Sequence, residues 1–135
     1  MKQFSTRVRL LACLAVALVA LGSSGPTLAA TANLRIVLWA HGKGVGKPRT
    51  WTLRCAPAGG TLPNARRACL KLGSLAGPFA PVPANVACSL IYGGPQFALV
   101  TGSFRGHLVS TSFKRTDSCQ TERWNRVAFL FPSTR

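Results

Sequence analysis

Acidic residues are scarce in this chain, since only Asp117 and Glu122 carry a carboxylate among 135 residues. Histidine is equally rare, with His41 and His107 alone. Acid–base catalysis and metal binding depend largely on these side chains, and neither histidine has metal-ligand spacing to a cysteine or carboxylate. A triad can be assembled on paper from Ser110, His107 and Asp117, but no serine lies in a glycine-rich nucleophile turn. The composition therefore predicts a protein that is not an enzyme and uses no metal or cofactor.

The chain also lacks an apolar run long enough to span a membrane. Its longest, LLACLAVALVALG at 10–22, is too short for a membrane helix. Lys2, Arg7 and Arg9 precede this run, and small residues follow it, with possible cleavage after Ala29, Ala30 or Ala32. This layout is typical of a secretory signal peptide. We expect residues 1–30 to be that signal and residues 31–135 to form one secreted domain, extracellular or periplasmic.

Four cysteines lie outside the predicted signal: Cys55, Cys69, Cys88 and Cys119. An even number of cysteines in a secreted domain near 100 residues indicates disulfides rather than zinc or thiol chemistry. Four cysteines permit three connectivities. Because shorter loops close at lower entropic cost, the local pairing of Cys55 with Cys69 and Cys88 with Cys119 is favoured.

Basic residues greatly outnumber acidic ones. Three of the 17 lysines and arginines lie in the predicted signal, so the remaining domain has a net charge of about +12. Such charge attracts nucleic acid, anionic lipid or acidic polysaccharide. The basic residues are nevertheless scattered, and a nucleic-acid surface would need denser runs with stacking aromatics. We therefore expect a solvated basic surface and no specific nucleic acid; a cationic protein that binds polyanions or the cell envelope is the alternative function.

The pattern of apolar residues predicts an α+β domain with a mostly antiparallel sheet. Residues 49–57 alternate with period two, whereas 64–75 have apolar residues at spacings of three and four, typical of a helix. Asn64 is the predicted N-cap of that helix, and Ser118 begins a weak capping pattern. The full prediction is strands at 33–44, 49–57, either side of Arg105-Gly106 within 96–116, and 126–132, with helices at 64–75 and 118–125.

The stretch VACSLIYGGP, residues 86–95, has two interpretations. Leu90, Ile91 and Tyr92 could form a buried core strand with Cys88 as part of the scaffold. The proline-rich approach at 76–85 and the Gly-Gly-Pro ending favour a protruding loop instead. Both interpretations stay open on composition alone.

Several of these motifs resemble the Streptomyces subtilisin inhibitor family of secreted serine-protease inhibitors. The resemblance is carried by WTLRCAP followed by Gly-Gly, by NARRACLKL, by a cysteine shortly before Leu-Ile-Tyr, by SCQTE and by the final VAFLFP. It extends from about Asn33 to Pro132. The most specific element is the order and spacing of the four cysteines.

The resemblance implies a fold, a site and a partner. The fold would be a five-stranded antiparallel sheet with two short helices and the disulfides Cys55–Cys69 and Cys88–Cys119, commonly in homodimers that pack sheet surfaces together. The partner would be an extracellular subtilisin- or chymotrypsin-like protease, inhibited reversibly and tightly, and no membrane would be bound after signal cleavage. Leu90–Ile91 would be the reactive bond, with Leu90 in the specificity pocket of the protease. The inhibitory loop would also include Cys88, Ser89, Tyr92 and Gly93.

Two positions depart from the pattern of that family. Ser89 stands where proline is frequent, and serine restrains the backbone less. Gly93-Gly94 replaces bulkier residues and is expected to add freedom. Both departures predict a looser loop, and with it either weaker inhibition or a protein that the protease cleaves as a substrate.

Overall fold

The computed structural model describes residues 30–132, so the predicted signal peptide lies outside the described residues apart from Ala30. Among these residues, no helix is both long enough and apolar enough to span a membrane. The elements in chain order are β1 Ala32–Trp39, β2 Arg49–Cys55, β3 Gly59–Gly60, α1 Ala65–Ser74, β4 Gly94–Phe104, β5 His107–Arg115, α2 Ser118–Arg126 and a 3₁₀ turn Ala128–Leu130. The strands form one antiparallel sheet in the order β3-β2-β1-β4-β5. The predicted α+β fold is confirmed.

The core lies between one face of this sheet and the two helices. Successive side chains of a strand point to opposite faces, and in β1 the buried and exposed residues alternate accordingly. Leu34 and Ile36 are almost fully buried, and Val100 of β4 and Phe113 of β5 join them. α1 covers the β2 side of the sheet and α2 covers the β5 side.

A disulfide fastens α1 to the sheet. Cys55, the last residue of β2, bonds Cys69 in the middle of the helix, with 5.7 Å between their Cα atoms. Ala68 and Leu72 are the buried residues of α1, as the spacing predicts. The capping prediction for Asn64 is only half right: it occupies the N-cap position, but in the left-handed conformation and without a side-chain hydrogen bond.

α2 begins at the predicted place with a different cap. Asp117 is the N-cap, and its side chain accepts a hydrogen bond of 2.9 Å from the backbone N–H of Gln120. The Ser118 side chain is thereby left for another partner. Trp124 on the opposite side of α2 is buried against Phe131, with ring centroids 4.4 Å apart.

The predicted closing strand at 126–132 is wrong. The buried residues there are Val127, Leu130 and Phe131, whose spacing of three and four fits a helical turn rather than a strand. The segment forms the 3₁₀ turn after α2. The fifth strand is instead the two-residue β3, which pairs with Leu53 and Arg54 of β2. The sheet therefore has the expected five strands, but the fifth strand is β3 rather than residues 126–132.

Candidate functional site

A long loop, residues 75–93, connects α1 to β4 without a helix or strand. At its tip the side chains of Leu90, Ile91 and Tyr92 are 94%, 68% and 64% exposed. The core-strand interpretation of these residues is therefore wrong, because they pair with no strand and lie outside the core. Burying a large apolar side chain stabilises a fold by about 1.5–3 kcal/mol. Because Leu90, Ile91 and Tyr92 are all exposed, the fold lacks this stabilisation at three consecutive residues. A contiguous exposed apolar patch of this kind marks an interaction site.

The chain just before the tip is fastened to the first turn of α2. Cys88 bonds Cys119, with 5.5 Å between their Cα atoms. The next residue, Ser89, donates its backbone N–H to the Ser118 Oγ at 2.9 Å. Ser118 in turn donates its backbone N–H to the carbonyl oxygen of Ser89 at 3.0 Å. Both predicted disulfides are thus present, and this one is reinforced by a reciprocal hydrogen-bonded pair that the sequence analysis missed.

The chain just after the tip is fastened to the same part of the body. Gly93 donates its backbone N–H to the carbonyl oxygen of Arg115, the last residue of β5, at 2.7 Å. A Cβ atom at Gly93 would lie 2.5 Å from the Thr121 Oγ1 and 3.2 Å from the Arg115 Cβ. Gly93 therefore lets the chain lie directly against α2 and β5, a different role from the added freedom expected from the sequence.

Arg123 of α2 holds the earlier part of the loop. Its guanidinium donates to the carbonyl oxygens of Ala80 at 2.7 Å and of Ser112 at 2.6 Å, which joins the loop to β5. It also lies over the Phe113 ring, 4.2 Å from the centroid. Desolvation by burial lowers the pKa of Arg123 from its ordinary value, but arginine remains a cation at neutral pH. No local pattern distinguished Arg123 from the other arginines, because its partners in the loop are backbone carbonyls far away in sequence.

Two further arginines act in the same way. Arg126 donates to the carbonyl oxygen of Ala76 at 2.9 Å, and Arg105 donates to that of Gly73 at 2.6 Å. Arg123 and Arg126 thus hold the chain between α1 and the tip, whereas Arg105 holds the last turn of α1 itself.

The rare acidic and histidine side chains do not form a catalytic or metal site among residues 30–132. Asp117, Cys88 and Cys119 have ligand atoms within 4.8 Å of one another, but both sulfurs are in the disulfide and offer no thiolate. His41 follows β1 at the end where Trp39 pairs with Phe97.

The candidate Ser110–His107–Asp117 triad is not assembled either. His107 pairs with Phe104 at one end of β5, and Ser110, three residues along the same strand, points to the opposite face. Asp117 lies beyond the other end of β5 and caps α2.

The sheet face away from the helices carries a second apolar area. Val37 pairs with Leu99, and Trp39 pairs with Phe97, with 5.8 Å between the ring centroids. These four side chains are only partly buried. Leu108 of β5 is 94% exposed.

Comparisons with known proteins give a matching family model and similar solved structures. A family model described as subtilisin inhibitor-like matches residues 30–118, more than half of the chain. One of the similar solved structures is Streptomyces caespitosus sermetstatin in complex with Bacillus licheniformis subtilisin. It is 23% identical to this chain, with a TM-score of 0.45, over 73% of this chain and 96% of that chain. No curated protein sequence matches.

Proposed function

The chain belongs to the subtilisin inhibitor-like family and is a protease inhibitor rather than an enzyme, and from this premise we propose that it is a reversible, tight-binding inhibitor of subtilisin- and chymotrypsin-like serine proteases. Leu90–Ile91 is the proposed reactive bond, and residues 88–93 are the inhibitory loop. The observation that carries the proposal is an almost fully exposed leucine in a loop that is anchored on both sides.

Anchoring explains how a substrate-like segment binds tightly. A flexible peptide loses conformational entropy when it docks in an extended conformation, at about 1–2 kcal/mol for each backbone residue that becomes fixed. Here Ser89 and Gly93 are hydrogen-bonded to the body before any protease arrives. More of the contact energy therefore becomes affinity. The backbone of residues 90–92 has no strand partner of its own and is available to pair with strand edges of a protease.

The same anchors make the inhibition reversible in this proposal. Hydrolysis of the Leu90–Ile91 bond adds one water and gives a carboxylate at Leu90 and an amine at Ile91. The disulfide and the Ser89–Ser118 pair hold one new end, while the bond from Gly93 to Arg115 holds the other. Because the two ends stay close together, re-formation of the bond competes with release.

The side chain of Leu90 sets the expected class of target. A leucine fits a broad apolar pocket, as in subtilisin- and chymotrypsin-like enzymes. It suits a trypsin-like pocket poorly, because the buried carboxylate there would have no cation as its partner.

The test is titration of subtilisin and chymotrypsin with the purified, disulfide-bonded protein. We expect stoichiometric inhibition below micromolar concentration, and its absence at micromolar concentration would reject the function. Leu90→Lys should shift the preference towards trypsin by about tenfold or more, because a lysine supplies the missing cation. Leu70→Lys, a change of an exposed leucine on α1 away from both the loop and the open sheet face, is the matched control. An unchanged preference in Leu90→Lys would remove Leu90 from its role.

The proposal extends to secretion and to a homodimer. Ala32 is buried and begins β1, so signal cleavage after Ala29 or Ala30 would leave the strand whole; amino-terminal sequencing of exported protein tests this.

The four partly buried side chains of the open sheet face, together with Leu108, offer an apolar surface for a second copy. A monomer in sedimentation equilibrium at micromolar concentration would contradict the dimer.

A further inference from the structure

We propose that Ser118 is a positioning residue for inhibition, because its hydroxyl fixes the backbone of Ser89 next to Leu90. This inference rests on the proposed function and adds to it a residue outside the loop. Ser118 Oγ accepts the Ser89 N–H at 2.9 Å, and the Ser118 N–H donates to the Ser89 carbonyl at 3.0 Å. The two bonds together orient the peptide units on both sides of Ser89.

The hydroxyl is free for this task because α2 is capped by its neighbour. Asp117 accepts the hydrogen bond from the Gln120 N–H, so the start of the helix does not need the Ser118 side chain. Serine hydroxyls at such positions ordinarily bind their own backbone. Here the hydroxyl instead reaches a residue 29 positions earlier in the chain.

A serine at position 89 makes this contact possible. Proline would fix φ but has no backbone N–H to donate. Ser89 keeps its N–H, and Ser118 supplies the acceptor. Serine restrains the backbone less than proline does, but the hydrogen bond to Ser118 of α2 supplies a restraint in its place. This differs from the expectation that Ser89 leaves the loop loose.

The disulfide alone does not supply this restraint. Cys88–Cys119 fixes the position of Cys88, but the peptide unit between Cys88 and Ser89 can still rotate about the neighbouring φ and ψ angles. A hydrogen bond from the Ser89 N–H determines that rotation. Together with the bond from the Ser118 N–H to the Ser89 carbonyl, it sets the direction in which the chain continues to Leu90.

The test compares Ser118→Ala with wild type in subtilisin inhibition and in the rate of Leu90–Ile91 cleavage over long incubation. Alanine is the best helix former and the Asp117 cap remains, so α2 should stay folded. We expect an inhibition constant about fivefold higher, the effect of one net hydrogen bond, and faster cleavage. Ser118→Thr keeps the hydroxyl and should restore both values. Ser74→Ala removes a hydroxyl that binds the Lys71 carbonyl within α1 and should change neither.

A double-mutant cycle isolates the bond itself. Ser89→Pro removes the hydrogen-bond donor and also adds the backbone strain of a proline. Because Ser118→Ala already lacks the bond, Ser89→Pro should raise the inhibition constant about fivefold less in that background than in wild type. The strain is common to both backgrounds and cancels. Additive effects, or a Ser118→Ala variant with unchanged inhibition and cleavage, would overturn the proposal.

Amide hydrogen exchange of Ser89 separates this proposal from the proposed function. The Ser89 N–H should be protected in the free wild-type protein and should exchange at least about fivefold faster in Ser118→Ala. If wild type does not inhibit subtilisin, the proposed function fails, and loss of protection on substitution still supports the role of Ser118 in holding the loop. Equal exchange in the two proteins would overturn it.

Discussion

The two disulfides of this protein hold very different regions. Cys55 is only 6% exposed, and its bond to Cys69 lies where β2 and α1 already pack through Leu53, Ala68 and Leu72. The Cys88–Cys119 bond holds a segment, residues 80–93, in which no residue is buried. The first disulfide therefore adds to a core that hydrophobic packing also maintains. The second disulfide holds a region that has no buried core, because its apolar residues face the solvent.

This contrast shows how the fold can present Leu90, Ile91 and Tyr92 without collapsing around them. Local order near the tip comes from a covalent bond and from hydrogen bonds to backbone groups rather than from burial. Such restraints act at a few atoms and leave the neighbouring side chains free. Under the proposed function, stability and inhibition therefore depend on different cross-links.

The largest effect on inhibition is expected from Cys88→Ala with Cys119→Ala. Without the disulfide, a few residues of the loop must be ordered on binding, at about 1–2 kcal/mol each. We expect inhibition to weaken by about 100-fold and the Leu90–Ile91 bond to be cleaved faster. Enzyme titration and mass spectrometry of the products check both. Inhibition within about threefold of wild type would show that the hydrogen bonds alone hold the loop.

An intermediate effect is expected from Gly93→Ala. The new Cβ would lie 2.5 Å from the Thr121 Oγ1, so the chain after the tip must move away from α2. We expect inhibition about tenfold weaker, with little loss of melting temperature, because the strain is confined to an exposed loop.

Two variants sharpen the Gly93 prediction. In Gly93→Ala with Thr121→Ala, removal of the colliding hydroxyl and methyl should recover most of the inhibition. Gly73→Ala is the matched control, since a Cβ there meets only the Ala30 Cβ at an ordinary 3.7 Å. Equal inhibition by Gly93→Ala and wild type would contradict the close approach of the loop to α2.

The sequence predicted the parts of this design that depend on local patterns. The alternation in β2 and the helical spacing in α1 are short-range signals, and both elements were placed within two residues of their ends. The glycines and prolines around Leu-Ile-Tyr favoured an exposed tip, although composition alone left a buried strand open. The strand expected at 126–132 was wrong because a short apolar run does not distinguish a strand from a helical turn by itself.

The anchors of the loop other than the Cys88–Cys119 disulfide were beyond prediction for a different physical reason. Ser118 and Arg123 bind residues 29 and 43 positions earlier in the chain, and Thr121 occupies the space that a Cβ at position 93 would need. Their partners are backbone atoms, which every residue possesses, so no pairing pattern is visible in the side chains. Only the fold brings them together.

The smallest effect on inhibition, and the sharpest test of the contrast, is expected from Cys55→Ala with Cys69→Ala. Removing a bridge of this size destabilises the folded state by about 3 kcal/mol, which corresponds to a melting temperature lower by about 10–20 °C for a domain of this length. Well below that temperature the chain remains folded, and none of the contacts of Ser89 or Gly93 involves β2 or α1. The inhibition constant should therefore match that of wild type, while the thermal denaturation curve shifts. If inhibition instead weakened as much as in the Cys88–Cys119 variant, the two regions would be coupled through the sheet, and stability and function would not belong to separate cross-links.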